Sequence, residues 1–204
     1  MANRSLAVLK ITLDDVEPKV MRRVVVSADI RLDRLHLAIQ AAMGWTNSHL
    51  YEFRIGGAGW GEPDPDGVYD GPLDAKKGRL RAVLVDAGSK TFSYLYDFGD
   101  GWSHTVKLEK IVPMIEGEPA VLLLEAQGRC PPEDCGGPPG YERLLEILAD
   151  PDDEEHDETL TWCGGPFDPK RADVPALEAD IERLARRWSP RPRAAAKPKT
   201  ELRS

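Results

Sequence analysis

Hydrophobic and polar residues alternate along several short stretches of the chain, and this alternation predicts β-strands. Residues 6–13 and 18–26 form two such stretches, and the second is rich in β-branched side chains. Residues 51–55 alternate in the same way, which indicates a half-buried strand. Residues 121–124 are apolar throughout and favour a strand buried on both faces. Residues 56–78 are rich in Gly, Pro and Asp and predict a long surface loop.

Apolar residues spaced three or four apart predict about three main helices. The stripe of the first helix consists of Leu32, Leu35, Ile39 and Met43. Gly44 is placed to end this helix, a second helix begins at Pro139, and a third covers residues 175–188. Strands and helices do not alternate as βαβ units, and hairpin signals dominate. Residues 1–188 are therefore predicted to form a single α+β domain with a mostly antiparallel sheet.

The most distinctive stretch is an aromatic β-hairpin predicted at residues 91–108. Gly99-Asp100-Gly101 supplies residues that tolerate the positive φ angles of a tight turn. The aromatic residues that share one face of the first strand are Phe92, Tyr94, Tyr96 and Phe98. On the return strand, His104 projects toward the apolar side.

Asp97, Asp100 and His104 form a candidate catalytic set around this turn. Two carboxylates near an imidazole could bind a divalent metal and activate a water molecule, or act as an acid/base pair. The structural alternative is that the carboxylates accept hydrogen bonds from turn amides and that His104 donates to a buried partner. Strand parity leaves both alternatives open, because the turn register decides whether these side chains converge.

Cys130 and Cys135 flank a Pro-Pro-Glu-Asp stretch and suggest a second candidate site. Their spacing lies within the range of zinc ligand pairs, Cys163 offers a third thiolate, and His156 or His104 could be a fourth ligand. The alternatives are a rigid proline turn with ordinary apolar thiols, or a labile disulfide. Zinc on Cys130, Cys135 and Cys163 is therefore a hypothesis of the sequence.

The remaining conspicuous polar residues have mostly structural interpretations. Glu133 and Asp134 precede a helix start, which predicts a capping arrangement. His49 lies in a polar turn and could be a cap residue or a surface ligand, whereas His36 lies beside the apolar stripe and is predicted to be a hydrogen-bonded core residue. The acidic run at residues 150–158 lacks the spacing of an EF-hand loop and predicts a solvated loop.

Charge is distributed unevenly along the chain. The formal net charge is −8, yet residues 183–204 hold eight basic residues and one acidic residue, or +7, which leaves −15 for the rest. An acidic body is not typical of a groove that follows nucleic-acid phosphates, although the basic tail could contact nucleic acid weakly. The Pro- and Ala-rich residues 189–204 have little apolar content and are predicted to be disordered.

Composition favours a cytoplasmic protein. Hydrophobic residues make up 41% and charged residues 30% of the 204 residues, which is typical of globular domains. Three cysteines are too few for a disulfide scaffold and agree with a reducing compartment. No apolar run approaches the roughly 20 residues that cross a bilayer, and the N-terminus lacks the apolar region of a secretory signal, so no membrane partner is expected.

Three sequence blocks follow one another in the order of a known family. They are the block from Pro18 to Phe53 with Gly44-Trp45 and His49-Leu50-Tyr51-Glu52-Phe53, the block Tyr96-Asp97-Phe98-Gly99-Asp100-Gly101-Trp102-Ser103-His104, and the block from Cys130 to Gly137 followed by Phe167-Asp168-Pro169. Together they resemble the plasmid pRiA4b ORF-three-like family over roughly residues 5–188. Its members are also described as TnpR-like passenger proteins of insertion elements. The resemblance implies a single α+β domain linked to mobile elements, and it implies no reaction.

The leading functional hypothesis is a non-enzymatic binding or accessory module whose partner is a protein or a nucleic acid. The resolvase-like name is not carried over as an activity, because neither a nucleophilic serine beside core arginines nor a basic helix-turn-helix can be placed in the sequence. One alternative is a metal-dependent hydrolase that uses Asp97, Asp100 and His104, to which Glu133 or Asp134 could be added. The other is an interaction domain stabilised by zinc.

Overall fold

The structure is a computed structural model that describes residues 5–68, 71–115 and 117–188. The predicted disordered tail at residues 189–204 lies outside the described residues. The elements within the described ranges are β1 (Ser5–Leu13), β2 (Met21–Ser27), α1 (Leu32–Met43), β3 (Tyr51–Ile55), β4 (Ala58–Gly61), β5 (Leu73–Asp74), α2 (Leu80–Ala87), β6 (Thr91–Tyr96), β7 (Trp102–Pro113), β8 (Val121–Gln127), α3 (Gly137–Ala149), α4 (His156–Trp162) and α5 (Val174–Trp188).

The described strands form one sheet in the order β5-β4-β3-β6-β7-β1-β2-β8. Neighbouring strands are antiparallel except for β4 and β5, which are parallel. The predicted α+β class and the mostly antiparallel sheet are therefore confirmed. None of the described helices combines the length and the hydropathy that crossing a bilayer requires.

The described residues contain five helices, so the prediction of about three is too low. α2 buries only Leu80 and Leu84, and α4 buries no residue. Neither helix is long enough to repeat an apolar stripe, which explains why the spacing of apolar residues does not reveal them. α4 begins inside the acidic run at residues 150–158, and β4 and β5 lie within residues 56–78, so both predicted loops are partly wrong.

The main core lies between one face of the sheet and the helices α1 and α5. Leu9 and Ile11 of β1 and Leu35 and Ile39 of α1 have no exposed surface. Burying an aliphatic side chain of this size stabilises the fold by about 1.5–3 kcal/mol. A smaller cluster, separate from this core, consists of Leu6, Val8 and Val25.

Arg22 connects the sheet to the end of α1, although it is a buried charge with 1% of its surface exposed. Its Nε donates to the carbonyl of Ala42 at 2.7 Å, and its Nη1 donates to the carbonyls of Met21 at 2.9 Å and Gln127 at 2.8 Å. The last carbonyls of a helix carry the negative end of its dipole and stabilise a cation there. Arg22 therefore holds the position at which the chain leaves α1.

The predicted aromatic hairpin is formed by β6 and β7. Tyr94 pairs with His104, and Tyr96 pairs with Trp102, in the antiparallel register. All four residues have no exposed surface. The hairpin thus contributes a layer of aromatic side chains to the core.

Phe98 does not share this aromatic face, and the prediction is wrong at that position. β6 ends at Tyr96, and Asp97 has a left-handed backbone with a φ of 56°. A left-handed residue breaks the alternation of a strand, because that alternation requires extended backbone angles. Phe98 is consequently 53% exposed.

Two histidines, His36 and His104, are buried in the aromatic part of the core. Burial lowers the pKa of each imidazole from its ordinary value of 6.5 to about 4. His36 Nδ1 lies 2.7 Å from the hydroxyl of Tyr94, and His104 Nδ1 lies 3.1 Å from the carbonyls of both Tyr94 and Trp102. Both imidazoles are therefore neutral in the folded protein near neutral pH.

We expect the free energy of unfolding to decrease as the pH falls from about 6.5 to about 4. In this window the unfolded chain binds up to two more protons than the folded chain, so the slope approaches about 2.7 kcal/mol per pH unit. Urea unfolding, followed by tryptophan fluorescence at a series of pH values, measures this slope. Replacing His36 by Gln should reduce the slope by about half, and a stability that does not change with pH across the window would contradict the account.

Candidate functional site

Three loops meet beside the adjoining ends of β3 and β6. The helix loop covers residues 44–50 and joins α1 to β3. The hairpin turn covers residues 97–101 and joins β6 to β7. The proline–cysteine loop covers residues 130–136 and leads into α3. Hydrogen bonds between the loops bring polar residues of the three sequence blocks into one region.

The hydroxyl of Tyr96 is the point at which these loops are joined. It accepts hydrogen bonds from the backbone amides of Ser48 at 2.9 Å and His49 at 3.3 Å. It also donates to Oε1 of Glu133. Burial, together with the Glu133 carboxylate, raises the pKa of Tyr96 well above its ordinary value, so the hydroxyl keeps the proton that it donates.

Glu133 connects the proline–cysteine loop to the helix loop. Its Oε2 accepts from the backbone amide of Thr46 at 2.8 Å and from the Thr46 hydroxyl at 2.6 Å. The N-cap of α3 is Gly136, and no side chain caps it. The predicted capping role of Glu133 and Asp134 is therefore wrong, since Glu133 accepts from another loop and from a strand instead.

A buried polar network supports the helix loop from below. The hydroxyl of Tyr94 lies 2.7 Å from His36 Nδ1 and accepts from Gln40 Nε2 at 3.0 Å. His36 Nε2 contacts the side-chain oxygen of Asn47. The backbone amide of Asn47 donates to Gln40 Oε1 at 3.1 Å. The prediction that His36 is a hydrogen-bonded core residue agrees with these contacts.

Asp97 organises the hairpin turn. Its Oδ1 accepts from the amide of Gly99 at 2.9 Å and from that of Asp100 at 3.4 Å, and its carbonyl accepts from the Gly101 amide at 2.7 Å. These hydrogen bonds to turn amides are the structural role that the sequence predicts as the alternative to a catalytic one. The side-chain bonds use Oδ1, whereas Oδ2 is directed toward the helix loop.

His49, Asp97 and Asp134 form a cluster of potential metal ligands, one from each loop. His49 Nε2 lies 3.0 Å from Asp134 Oδ1 and 3.5 Å from Asp97 Oδ2. One ligand atom from each residue lies within 4.8 Å of the other two, and no other such group of three occurs among the described residues. The side chain of Asp134 is 69% exposed, so solvent reaches this cluster from one side.

The cluster differs from the predicted set of Asp97, Asp100 and His104. Asp100 contacts the proline–cysteine loop, where its Oδ2 accepts from the Gly136 amide at 3.2 Å. His104 lies in the core, with Nδ1 directed at backbone carbonyls and Nε2 without a hydrogen-bond partner among the described residues. His49 lies near Asp97 instead. Both residues belong to sequence blocks that carry the family resemblance, and this shared membership is the sequence feature that singles out His49.

The three cysteines are free thiols in this structure. Burial raises the pKa of Cys130 and Cys163, and it raises that of Cys135 to about 12, so the thiol form is favoured at neutral pH. The three sulfur atoms do not form a group of three ligands within reach of one another among the described residues. Zinc at these cysteines stays a prediction, which metal analysis of the purified protein tests.

The Tyr96 hydroxyl leads to a specific prediction for stability. Tyr96→Phe removes the partner of two amides and of one Glu133 oxygen, and we expect it to lower the free energy of unfolding by about 1–3 kcal/mol. Tyr141→Phe is the matched control, because the buried hydroxyl of Tyr141 has no hydrogen-bond partner among the described residues. The control should change stability by less than about 0.5 kcal/mol. Equal effects in urea unfolding would contradict the role given to Tyr96.

Comparisons with known proteins cover the part of the chain that holds these loops. The chain matches the family described as Plasmid pRiA4b ORF-3-like protein over residues 5–176, a range that includes all three loops. It is 53% identical over 186 residues to the uncharacterized protein y4hQ of Sinorhizobium fredii (strain NBRC 101917 / NGR234), covering 91% of this chain and 95% of that protein.

A solved structure shares the fold. The crystal structure of the protein of unknown function MM3350 from Methanosarcina mazei Go1 superimposes with a TM-score of 0.76 at 33% sequence identity. The similarity covers 87% of this chain and 98% of that one. The chain therefore belongs to the plasmid pRiA4b ORF-3-like family.

Proposed function

We propose that the protein is a non-enzymatic binding module whose binding surface is formed by the helix loop and the hairpin turn. The observation that supports this most strongly is that the carboxylates of the signature stretches are engaged in hydrogen bonds within and between the loops. Glu133, Asp97 and Asp100 accept hydrogen bonds that join or shape the three loops. Carboxylates engaged in this way stabilise the loops. The side chains that remain exposed on these loops are therefore the ones available to contact a partner.

Two large apolar side chains are exposed on this surface. The carbonyl of Leu50 accepts from the amide of Asp97 at 2.9 Å, so residue 50 of the helix loop adjoins the hairpin turn. Leu50 is 55% exposed, and Phe98, the residue after Asp97, is 53% exposed. Aromatic and aliphatic side chains held on fixed loops are typical anchors of protein interfaces.

The charge around these anchors favours a protein partner over a nucleic acid. Asp97 and Asp100 lie on the same hairpin turn as Phe98, and Asp134 lies 3.0 Å from His49 of the helix loop. The chain before Arg183 carries a net charge of −15. Such a surface repels phosphates and complements basic side chains. The partner is therefore a protein segment that presents basic and apolar residues together. Association with mobile elements and a cytoplasmic location rest on the resemblance and on composition, and they stay predictions.

A capture experiment with matched variants tests this function. The full chain, the variant Leu50→Ser/Phe98→Ser and the control Val68→Ser/Val85→Ser are immobilised and exposed to extract from cells that contain the native protein. Val68 and Val85 are 74% and 72% exposed, so the control removes the same kind of side chain elsewhere. We expect a defined partner to bind the wild type and the control and to be at least about tenfold depleted on the site variant, as for loss of interface anchors.

The captured partner is then purified and titrated against the same three proteins. Equal affinity of the site variant and the wild type would contradict the proposed surface. Salt-sensitive DNA binding that is stronger than any protein interaction would contradict the choice of a protein partner.

A further inference from the structure

We propose that His49 Nε2, Asp97 Oδ2 and Asp134 Oδ1 bind one divalent cation of the first transition series, of which Zn²⁺ is the ion used in the test. This proposal goes beyond the binding module, because metal binding here requires no partner. It also differs from the cysteine hypothesis, since none of the three ligands is a thiol.

The spacing of the ligand atoms fits a metal ion of this class. Metal–nitrogen and metal–oxygen bonds of about 2.0–2.1 Å place neighbouring ligand atoms about 3.3 Å apart in a tetrahedral site. In an octahedral site the same bonds place them about 2.9 Å apart. His49 Nε2 lies 3.0 Å from the Asp134 oxygen and 3.5 Å from the Asp97 oxygen. These two distances lie on either side of the tetrahedral value, and the ligand oxygens of Asp97 and Asp134 lie within 4.8 Å of each other, so an ion can bind once the side chains adjust.

The contacts within the cluster are not satisfied by hydrogen bonds. His49 Nε2 is buried and has no hydrogen-bond partner among the described residues, although two carboxylate oxygens lie close to it. Asp97 is only 8% exposed, and its described hydrogen bonds are made by Oδ1 and by the backbone, not by Oδ2. The buried ring nitrogen of His49 thus lacks a hydrogen-bond partner among the described residues, and Asp97 Oδ2 makes none of the described side-chain hydrogen bonds. A cation between them would satisfy both.

The fold holds the three ligand-bearing segments in place without the ion. The His49 amide donates to the Tyr96 hydroxyl at 3.3 Å, and Asp97 follows Tyr96 directly in the chain. Asp134 follows Glu133, which accepts from the same hydroxyl. Each ligand is thus within one residue of a member of a single hydrogen-bond network. Such second-shell support lowers the cost of organising a metal site.

The ligand types select the class of ion. An imidazole nitrogen favours zinc, copper, iron, nickel or cobalt, whereas magnesium and calcium prefer sites made of oxygen alone. Two carboxylates supply a charge of −2, which neutralises a divalent ion. Asp134 is 69% exposed at its side chain, so a remaining coordination position faces solvent and is open to water or to a ligand group of a partner.

Titration calorimetry with Zn²⁺ on the chelator-treated full chain tests the site. We expect one equivalent of Zn²⁺ to bind the wild type, and we expect His49→Gln and Asp134→Asn each to weaken binding by at least about tenfold, because even outer-shell residues contribute roughly 10–100-fold to metal affinity. The control is His156→Gln, which removes an imidazole that contacts the single carboxylate of Asp157 at 3.2 Å. The control should bind Zn²⁺ like the wild type.

Cobalt substitution separates this site from the cysteines. Co²⁺ bound to His49, Asp97 and Asp134 gives d–d absorption without the intense thiolate charge-transfer bands of cysteine coordination, and Asp134→Asn should diminish that absorption.

No Zn²⁺ binding by the wild type would overturn the proposal. Undiminished binding by both site variants would overturn it as well, and so would thiolate bands in the cobalt spectrum at one equivalent. Because Asp134 is exposed, Asp134→Asn tests the ligand without endangering the fold.

Discussion

The arrangement of the three loops depends on the hydrogen bonds made by the Tyr96 hydroxyl. This group stands at the end of a central strand, accepts from two amides of the helix loop and donates to a carboxylate of the proline–cysteine loop. The hydroxyl therefore acts together with the direct hydrogen bonds from Thr46 to Glu133 and from Trp45 to Pro131 to hold two chain segments that are more than eighty residues apart. Removing such a group leaves several partners unsatisfied at once, which is why its contribution exceeds that of an ordinary surface hydrogen bond.

The rigidity of Tyr96 comes from the core beneath it. Its ring stacks on Trp45 with centroids 5.0 Å apart, and Trp45 itself donates to the carbonyl of Pro131 at 2.9 Å. The same tryptophan meets the ring of His104 edge-on at 5.5 Å. The packing of the buried aromatic rings thus fixes the position of the loops, and with it the geometry of the polar cluster at the surface.

The sequence predicts those features that depend on local periodicity. The alternation around Tyr94 and Tyr96 predicts the hairpin, because a strand presents every second residue to the core. Phe98 is misassigned because one left-handed residue, Asp97, interrupts the strand. The partnership of His49 with Asp97 and Asp134 could not be predicted, since it depends on which loops cross at the strand ends. Periodicity predicts on which face of a strand or helix a side chain lies, whereas the loops that come together are decided by the tertiary fold.

Amide hydrogen exchange at Ser48 and His49 tests the central role of the Tyr96 hydroxyl most directly. Their amides donate to that hydroxyl from a loop that is otherwise near the surface, so both should exchange slowly in the wild type. In the variant Tyr96→Phe both amides should lose this protection, while the amides of β6 and β7 retain theirs. Equal exchange rates of Ser48 and His49 in the two proteins would contradict the account.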